Sequence, residues 1–210
     1  MHESEQFGFI EMEYVPHGTL SDYLGQIMKT ENQMDAASHD LRVSCIMGQL
    51  IDAVAQVHSK NLVHRDLKPD NILVQKIDSK SVLDGCEIKV KVADFGLAAQ
   101  FKVSLSQADP LEARAGTFKY MAPEQAGPGK LYGKKIDMWA CGIIMYQLLS
   151  FGQHPLLTSD DHRLDEQGFI ERLRNPHWTF SDHFSEYAID FFLRLCDPSA
   201  MNRYTAMQAL

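Results

Sequence analysis

The clearest pattern in the first third of the chain is a stripe of apolar residues with helical spacing. Its members are Val43, Met47, Leu50, Val54 and Val57. This spacing places them on one side of an amphipathic helix, where they would face a core. Ser38 or Asp40 is predicted to cap the helix after a polar loop that starts at Glu31. Lys60–Asn61 is predicted to end it.

A second helical pattern, from Asp137 to Leu149, is apolar on every side. A helix of this kind is normally buried completely. Shorter patterns predict helices at about Leu20–Thr30, Glu166–Leu173 and Tyr187–Leu195. The longest apolar helix is shorter than the roughly 20 residues that a membrane span requires, so no spanning helix is expected.

Three short segments favour β-strands. Phe7–Val15 alternates in part and is rich in β-formers, whereas Ile72–Val74 and Ile88–Ala93 are apolar runs. Asp78–Glu87, between the two apolar runs, is rich in polar and turn residues and predicts a surface insertion in a hairpin. Together these patterns predict a mostly helical α+β fold with short β hairpins.

Composition excludes several classes of protein. The chain is 45% hydrophobic, which is enough for a buried core, and its net charge is −8 without a cluster of basic residues, so nucleic acid is not an expected partner. The four cysteines are widely scattered and predict neither a disulfide framework nor a zinc site. Because no signal-peptide pattern opens the sequence, a reducing compartment is expected, the cytoplasm or the nucleus.

The candidate chemistry is concentrated in residues 64–71, which read H-R-D-L-K-P-D-N; we name this segment the candidate catalytic loop. Pro69 prevents a helix from continuing through the loop and keeps the preceding residue extended. Asp66, Lys68 and Asn71 therefore lie on one segment that can direct an acid, a cation and an amide at one point. Phosphoryl transfer requires such a set, with a carboxylate for the hydroxyl proton, a cation for phosphate oxygens and a neutral oxygen ligand for magnesium.

Three further motifs follow in a fixed order. Residues 94–96 read D-F-G, residues 122–124 read A-P-E, and residues 137–139 read D-M-W at the start of the buried helix, with Gly142 beyond them. Each motif alone is a weak signal, whereas four in this order are specific. On these motifs the chain resembles the eukaryotic Ser/Thr protein kinases.

The resemblance implies catalytic roles for five residues. Asp66 would orient the substrate hydroxyl, Lys68 and Thr117 would steady the transferring phosphoryl group, and Asn71 and Asp94 would bind Mg²⁺. ATP would be the donor, and a Ser or Thr hydroxyl of a protein substrate would be the acceptor. The pairing of Lys68 with Thr117 favours Ser/Thr over Tyr specificity. Residues 116–121, which we name the substrate platform, would receive the substrate polypeptide.

The resemblance also implies an adenine site. The predicted strand Phe7–Val15 would enter the hinge between two lobes, with Met12 as gatekeeper and the backbone of Glu13 and Val15 facing the adenine. Leu73 would lie on the floor of the cleft. The alternative is an ordinary edge strand, because backbone contacts leave no side-chain signature in a sequence.

Further residues would have structural or regulatory roles by the same resemblance. They are His64, Arg65, Phe95, Gly96, Glu124, Asp137 and Arg203. Arg65 would meet a phosphorylated residue of the activation segment, residues 97–121. Asp137 would hold the backbone of the candidate catalytic loop, and Arg203 would form a buried ion pair with Glu124, the alternative being a surface arginine.

A complete kinase also carries a Gly-rich loop, a strand lysine and a helix glutamate before the hinge. The 210 residues contain neither a G-x-G-x-x-G loop nor a V-A-I-K-like strand. We therefore expect residues 1–210 to be a partial kinase domain, with about 1–15 forming the last strand of the small N-terminal lobe and the hinge, and 16–210 the large lobe. The small lobe would be largely absent from this chain and supplied in cis by the parent protein.

Two functions remain open at this point. The first is a Ser/Thr protein kinase, of which this chain would be a fragment that is inactive alone. The second is a pseudokinase-like interaction scaffold, which the absence of the phosphate-covering lobe would favour. A scaffold has no chemical need for Asp66, Lys68, Asn71 and Asp94 together. The sequence predicts no oligomeric state, and neither a membrane nor nucleic acid is an expected partner.

Overall fold

A computed structural model of the protein describes residues 11–29, 36–76, 88–100, 116–126, 132–158, 166–182 and 184–210. The helices in these ranges are α1 (Leu20–Ile27), α2 (Ala36–Ser59), α3 (Lys135–Leu149), α4 (Glu166–Arg174), α5 (Glu186–Leu195) and α6 (Ala206–Ala209). The strands are β1 (Leu62–Val63), β2 (Ile72–Lys76), β3 (Ile88–Val92) and β4 (Ala99–Gln100). The predicted helical predominance is confirmed. Among the described helices, none has the length and apolar character needed to cross a membrane.

Helix α3 lies at the centre of the core. Every residue from Ile136 to Leu149 except Gln147 is buried, as the pattern of apolar residues on all sides predicted. The helix packs against α2 and α5. At Gly142 a Cβ atom would lie 2.3 Å from Cys196 Sγ, so the close approach of α5 requires glycine there.

Helix α2 presents the predicted apolar stripe to the core. Val43, Met47, Leu50 and Val54 are buried, and Val57 is half-buried. The helix ends at Ser59, in agreement with the stop predicted at residues 60–61.

The start of α2 differs from the prediction. The helix begins at Ala36, so Ser38 and Asp40 lie inside it and do not cap it. Tertiary contacts explain the difference, because buried His39 hydrogen bonds to the carbonyl of Leu148 at 3.0 Å and stacks on Phe151. These contacts outweigh the weak helical preference of a polar segment. The rest of the predicted loop, residues 31–35, lies outside the described residues.

Strands β2 and β3 form the predicted antiparallel hairpin. Ile72 pairs with Val92 and Lys76 pairs with Ile88. The predicted insertion Asp78–Glu87 lies outside the described residues. The pairing of β1 with β4 was not predicted, because strands of two residues have no recognisable periodicity.

The predicted strand Phe7–Val15 is wrong for its described part. Residues 11–15 have no regular secondary structure, and residues 7–10 lie outside the described ranges. A strand requires a neighbour that completes its hydrogen bonds, and β propensity mainly reflects that packing. In the described part of this region, the chain pairs only through an isolated bridge between Thr19 and Leu73.

The cysteines show another difference. Cys141 and Cys196 are free and buried, in agreement with the sequence. Cys45 is disulfide-bonded, so the expectation that no disulfide forms was wrong for this residue. Separation along the sequence does not reveal the Cα–Cα distance on which disulfide formation depends.

The carboxylate of Asp137 joins α3 to the candidate catalytic loop. Its Oδ2 accepts hydrogen bonds from the backbone N–H of His64 at 2.9 Å and from His58 Nε2 at 2.8 Å. Its Oδ1 accepts one from the backbone N–H of Arg65 at 3.0 Å. Arg65 has a φ of +70°, a backbone conformation that residues other than glycine rarely adopt. The buried carboxylate therefore holds a strained backbone in place, and His58 of α2 is part of this network.

We expect Asp137→Asn to lower the free energy of unfolding by about 1–3 kcal/mol. The amide places an N–H₂ group where one carboxylate oxygen accepted, so at least one buried donor loses its partner. Urea denaturation of both proteins measures the difference. Asp190→Asn, which alters only an exposed i,i+4 pair with Arg194, is the matched control and should barely move the midpoint. Equal midpoints for wild type and Asp137→Asn would contradict the role of this carboxylate.

Candidate active site

The carboxylate of Asp66 is the centre of a hydrogen-bond network in the candidate catalytic loop. Lys68 Nζ lies 2.9 Å from Asp66 Oδ2 and 2.9 Å from Thr117 Oγ1, and donates to both. Thr117 in turn donates to Asp66 Oδ1 from its hydroxyl at 2.9 Å and from its backbone N–H at 2.8 Å. The structure thus brings Thr117, which is distant in sequence, between the acid and the cation.

This network controls the protonation of Asp66. Burial of the carboxyl by itself raises its pKa, but the hydrogen bonds from Lys68 and Thr117 outweigh that effect and lower the pKa below its usual value. Asp66 is therefore ionised at neutral pH. An ionised carboxylate in this position can orient a hydroxyl group and accept its proton.

The backbone around Pro69 directs Asn71 toward Asp66. Lys68 is extended, with φ of −159° and ψ of 162°, as predicted for a residue before proline. Pro69 does not exclude helical structure, however, because it starts a single 3₁₀ turn, Pro69–Asn71; proline fits the first position of a helical turn, where its missing N–H has no role. The turn places Asn71 Nδ2 2.8 Å from the carbonyl of Asp66 and 3.1 Å from its Oδ2.

Gly116 permits the substrate platform to approach the candidate catalytic loop. Its φ is +110°, and a Cβ atom there would lie 2.3 Å from the carbonyl oxygen of Arg65. Only glycine fits this position without displacing the loop. The sequence assigned Gly116 to the platform but gave it no role. Its position immediately before Thr117 was the available signal.

Asp94 follows the strand that pairs with Asn71. The backbone N–H of Ala93 donates to the carbonyl of Asn71 at 2.9 Å. Ala93 therefore lies opposite Asn71, and Asp94 is the next residue along the chain. Asp94 has a φ of +60° and accepts a hydrogen bond from the N–H of Gly96 at 3.1 Å. The D-F-G turn therefore starts beside Asn71.

The side chains of Asn71 and Asp94 provide the oxygen ligands that a hard divalent cation prefers. The described ranges contain no cluster of three or more His, Cys, Asp or Glu side chains that could hold a metal ion. An ion bound by Asn71 and Asp94 would therefore take its other ligands from water and phosphate, as is common for magnesium. The residues present fit Mg²⁺ on this chemistry.

His64 connects the loop to the D-F-G turn. Its Nε2 donates to the carbonyl of Ala93 at 3.0 Å, and its Nδ1 accepts from the N–H of Asp66 at 3.3 Å. The His64 ring lies 4.9 Å from the ring of Phe95. His64 therefore links Asp66 to the segment that carries Asp94.

Arg65 contacts the start of the activation segment. Its Nε donates a hydrogen bond to the carbonyl of Leu97. Residues 101–115 lie outside the described residues, so the expected contact of Arg65 with a phosphorylated residue there stays a prediction.

The predicted adenine site lies on an open face. Met12 is 81% exposed, Val15 and Leu73 are partly buried, and the carboxylate of Glu13 forms an ion pair with Lys91 on β3. The N–H of Val74, in β2, donates to the carbonyl of Gly18 at 2.9 Å. This hydrogen bond attaches the segment that follows the predicted hinge to β2. The sequence did not indicate the Glu13–Lys91 pair.

Glu124 and Arg203 anchor the end of the substrate platform. Arg203 Nη1 lies 2.6 Å from Glu124 Oε1 and Nη2 lies 3.0 Å from Oε2, in a bidentate ion pair. Arg203 is 0% exposed, and its guanidinium lies 5.1 Å from the centre of the Trp139 ring. The alternative of a surface arginine is therefore wrong.

A groove of about 460 Å³ opens beside the platform. Phe118 and Met121 line one side of it, and Ile170 and Leu173 of α4 line the other. Its walls are largely apolar, and Gly116, the residue before Thr117, is among the residues that line it.

Comparison with known proteins finds many similar protein kinases, among them the following three. The chain is 35% identical over its full length to serine/threonine-protein kinase DCLK3 of Mus musculus, and covers 24% of that protein. It is 35% identical over its full length to calcium/calmodulin-dependent protein kinase type 1B of Rattus norvegicus, with 54% of that protein covered. It is 32% identical over its full length to the phosphorylase b kinase gamma catalytic chain, liver/testis isoform, of Bos taurus, with 47% covered.

The chain thus spans from about a quarter to about half the length of these relatives. The sequence model of the protein kinase domain matches residues 1–210. The resemblance and the fold type inferred from the four motifs are confirmed by this match. From the family match over its whole length and its identity to Ser/Thr kinases, the chain belongs to the protein kinase family.

Proposed function

We propose that the protein containing this chain is an ATP-dependent Ser/Thr protein kinase, and that residues 1–210 provide its base, its loop cation and its metal ligands. The observation that supports this best is the network in which Lys68 and Thr117 both contact Asp66. A binding scaffold has no need for a buried, ionised carboxylate held in this way. The family match supports the same activity.

In this proposal Asp66 binds the substrate hydroxyl and accepts its proton. The hydrogen bonds from Thr117 and Asn71 hold the carboxylate in one orientation, so little rearrangement is required when the hydroxyl arrives. Lys68 places a positive charge beside the reacting oxygen and offsets the negative charge that develops there. When bound, ATP would supply the phosphoryl group and magnesium would neutralise the charge of its phosphates, with Asn71 and Asp94 holding the ion.

Specificity for Ser and Thr rests on the same contacts. Thr117 joins Lys68 to Asp66 and belongs to the substrate platform, so the loop and the platform form one unit. In this proposal the apolar groove between the platform and α4, which Gly116 helps to line, receives the substrate chain. The substrate is a protein in this proposal, and its sequence preference is left open.

We further propose that the phosphates are covered by a part of the parent protein other than the 210 residues, because these contain no G-x-G-x-x-G loop and no V-A-I-K-like strand. Without that cover the phosphates stay in water, where charge interactions are several-fold weaker than in a closed cleft. The described cleft side chains Met12 and Phe95 are accordingly exposed.

Purified residues 1–210 should therefore transfer no more than trace amounts of phosphate from labelled ATP to a Ser/Thr peptide. The full-length protein serves as the positive control in the same assay. If the 210 residues alone matched its turnover, the proposed need for an additional phosphate cover would be wrong. If the full-length protein bound ATP or partners without transfer, the scaffold function would be favoured.

In the full-length protein, Asp66→Asn should lower kcat by about 10²–10⁴-fold, because the amide cannot accept the hydroxyl proton. The KM for ATP should change little. The matched control is Asp52→Asn, which alters an exposed carboxylate on α2 whose described hydrogen bond is with Gln56. It should keep wild-type turnover. Wild-type kcat in Asp66→Asn would show that another group is the base.

Asp94→Asn should raise the Mg²⁺ concentration for half-maximal activity by at least about tenfold, which corresponds to about 1.4 kcal/mol. The neutral amide loses most of the attraction of a carboxylate for a hard dication. Titration of activity with Mg²⁺ at saturating ATP measures the shift. Superimposable curves for variant and wild type would remove Asp94 from the proposed metal site.

A further inference from the structure

His154 lies in the loop that follows α3 and contacts the substrate platform. Its Nε2 lies 2.9 Å from the carbonyl oxygen of Lys119, in the 3₁₀ turn Phe118–Tyr120. Its Nδ1 accepts a hydrogen bond from the backbone N–H of Leu156 at 3.2 Å. One imidazole ring therefore joins the loop after α3 to the centre of the platform.

These contacts require a neutral ring. A carbonyl can only accept, so Nε2 must carry the proton, and a backbone N–H can only donate, so Nδ1 must be without one. A protonated ring would direct a second N–H at the N–H of Leu156. The hydrogen bonds to Lys119 and Leu156 would then no longer be satisfied together.

The surroundings of His154 also disfavour a positive charge. Burial lowers the pKa of its imidazole to about 4, the hydrogen bond to the Lys119 carbonyl opposes this, and the Lys119 ammonium adds to it. Of the other described groups packed here, Arg172 of α4 donates to the carbonyl of Leu156 at 3.0 Å. Tyr120 is neutral, because burial raises its pKa to about 12. The charge of Asp70 acts on the neighbouring Tyr120 hydroxyl, but no carboxylate of the described residues contributes to the pKa of His154.

The ring of His154 belongs to an aromatic cluster that supports both ends of the platform turn. Its centre lies 6.4 Å from the Tyr120 ring and 6.2 Å from the ring of Phe169, which is buried on α4. Phe169 in turn lies 4.5 Å from Phe118. Displacement of His154 would thus disturb the wall of the groove that Phe118 lines.

We propose that neutral His154 is a positioning residue for the polypeptide substrate: it holds the turn Phe118–Tyr120 in the orientation that receives the substrate, and its protonation releases that turn. The inference rests on the proposed kinase function. His154 touches neither Asp66 nor the proposed metal ligands in the described contacts, so its effect should fall on substrate binding and leave the chemical step almost unchanged.

Two substitutions in the full-length protein separate the hydrogen bond from the ring. His154→Gln places an amide Nε2 that can donate to the Lys119 carbonyl but cannot titrate. His154→Phe keeps a ring and loses both hydrogen bonds. The matched control is His177→Gln, which alters an exposed histidine just beyond α4.

At about pH 7.5, His154→Phe should raise the KM for a Ser/Thr peptide by about 3–10-fold, the range expected for loss of the one of its two hydrogen bonds that reaches the platform, to the Lys119 carbonyl. Its kcat and its KM for ATP should stay within about twofold of wild type. His154→Gln and His177→Gln should both keep a KM for the peptide near that of wild type. A uniform loss of kcat in His154→Phe would instead indicate general disruption and would overturn the positioning role.

The requirement for neutrality gives a second, independent readout. The unfolded chain takes up a proton at His154 as pH falls below 6.5, whereas the folded chain resists until about 4. The unfolded state therefore binds more protons between these values, and acid destabilises the wild type relative to His154→Gln. Between about pH 7.5 and about pH 5, urea denaturation should show a relative change of roughly thirtyfold in the unfolding equilibrium constant.

The possible outcomes separate the two proposals. A wild-type KM for the peptide in His154→Phe, or an equal rise in His154→Gln and His154→Phe, would overturn the positioning role while leaving the kinase function intact. A stability difference between wild type and His154→Gln that is the same at both pH values would overturn the required neutrality, and this test decides even if His154→Phe does not fold. Absence of any phosphoryl transfer by the wild type would overturn the kinase function and with it this inference.

Discussion

The arrangement of the whole site depends on one buried carboxylate at the start of the central helix. Asp137 is 1% exposed, and it accepts the backbone N–H groups of His64 and Arg65 immediately before the proposed base. Arg65 adopts a left-handed conformation that is unfavourable for its side chain. A carboxylate in a rigid, fully buried helix can impose that conformation, because the alternative leaves two buried donors without partners. The position of Asp66 therefore follows from the packing of α3.

The chemistry of Asp66 then results from two opposing effects. Burial raises the pKa of its carboxyl, and the hydrogen bonds from Lys68 and Thr117 lower it further than burial raises it. Lys68 is two residues away in sequence, whereas Thr117 arrives from the end of the activation segment. Gly116 makes that approach possible, because a side chain at this position would collide with the carbonyl of Arg65. The ionised state of Asp66 is consequently a product of two segments of the chain that meet.

The substrate platform is held by two anchors of different physical kinds. Arg203 is fully buried and forms a bidentate ion pair with partly buried Glu124, just beyond the platform. His154 forms two hydrogen bonds that require a neutral ring. The attachment at the end of the platform is therefore ionic, whereas the attachment at its centre consists of hydrogen bonds.

Local features of the sequence were sufficient to predict α2, α3, the hairpin and the candidate catalytic loop, because periodicity and motif spacing act over short distances. They were insufficient for residues 11–15, whose β-forming side chains have no strand neighbour in the described residues. They were also insufficient for Ser38, because tertiary contacts made by another residue of α2 place Ser38 inside the helix. The contacts of Gly116 and His154 cannot be inferred from neighbouring residues. Which backbone carbonyl a glycine must clear, or which carbonyl a histidine meets, depends on segments far apart in sequence. The sequence by itself determined the family, most of the helices, the hairpin and the candidate catalytic residues, and only the tertiary structure decided how they are held, because contacts between distant segments form only as the chain folds.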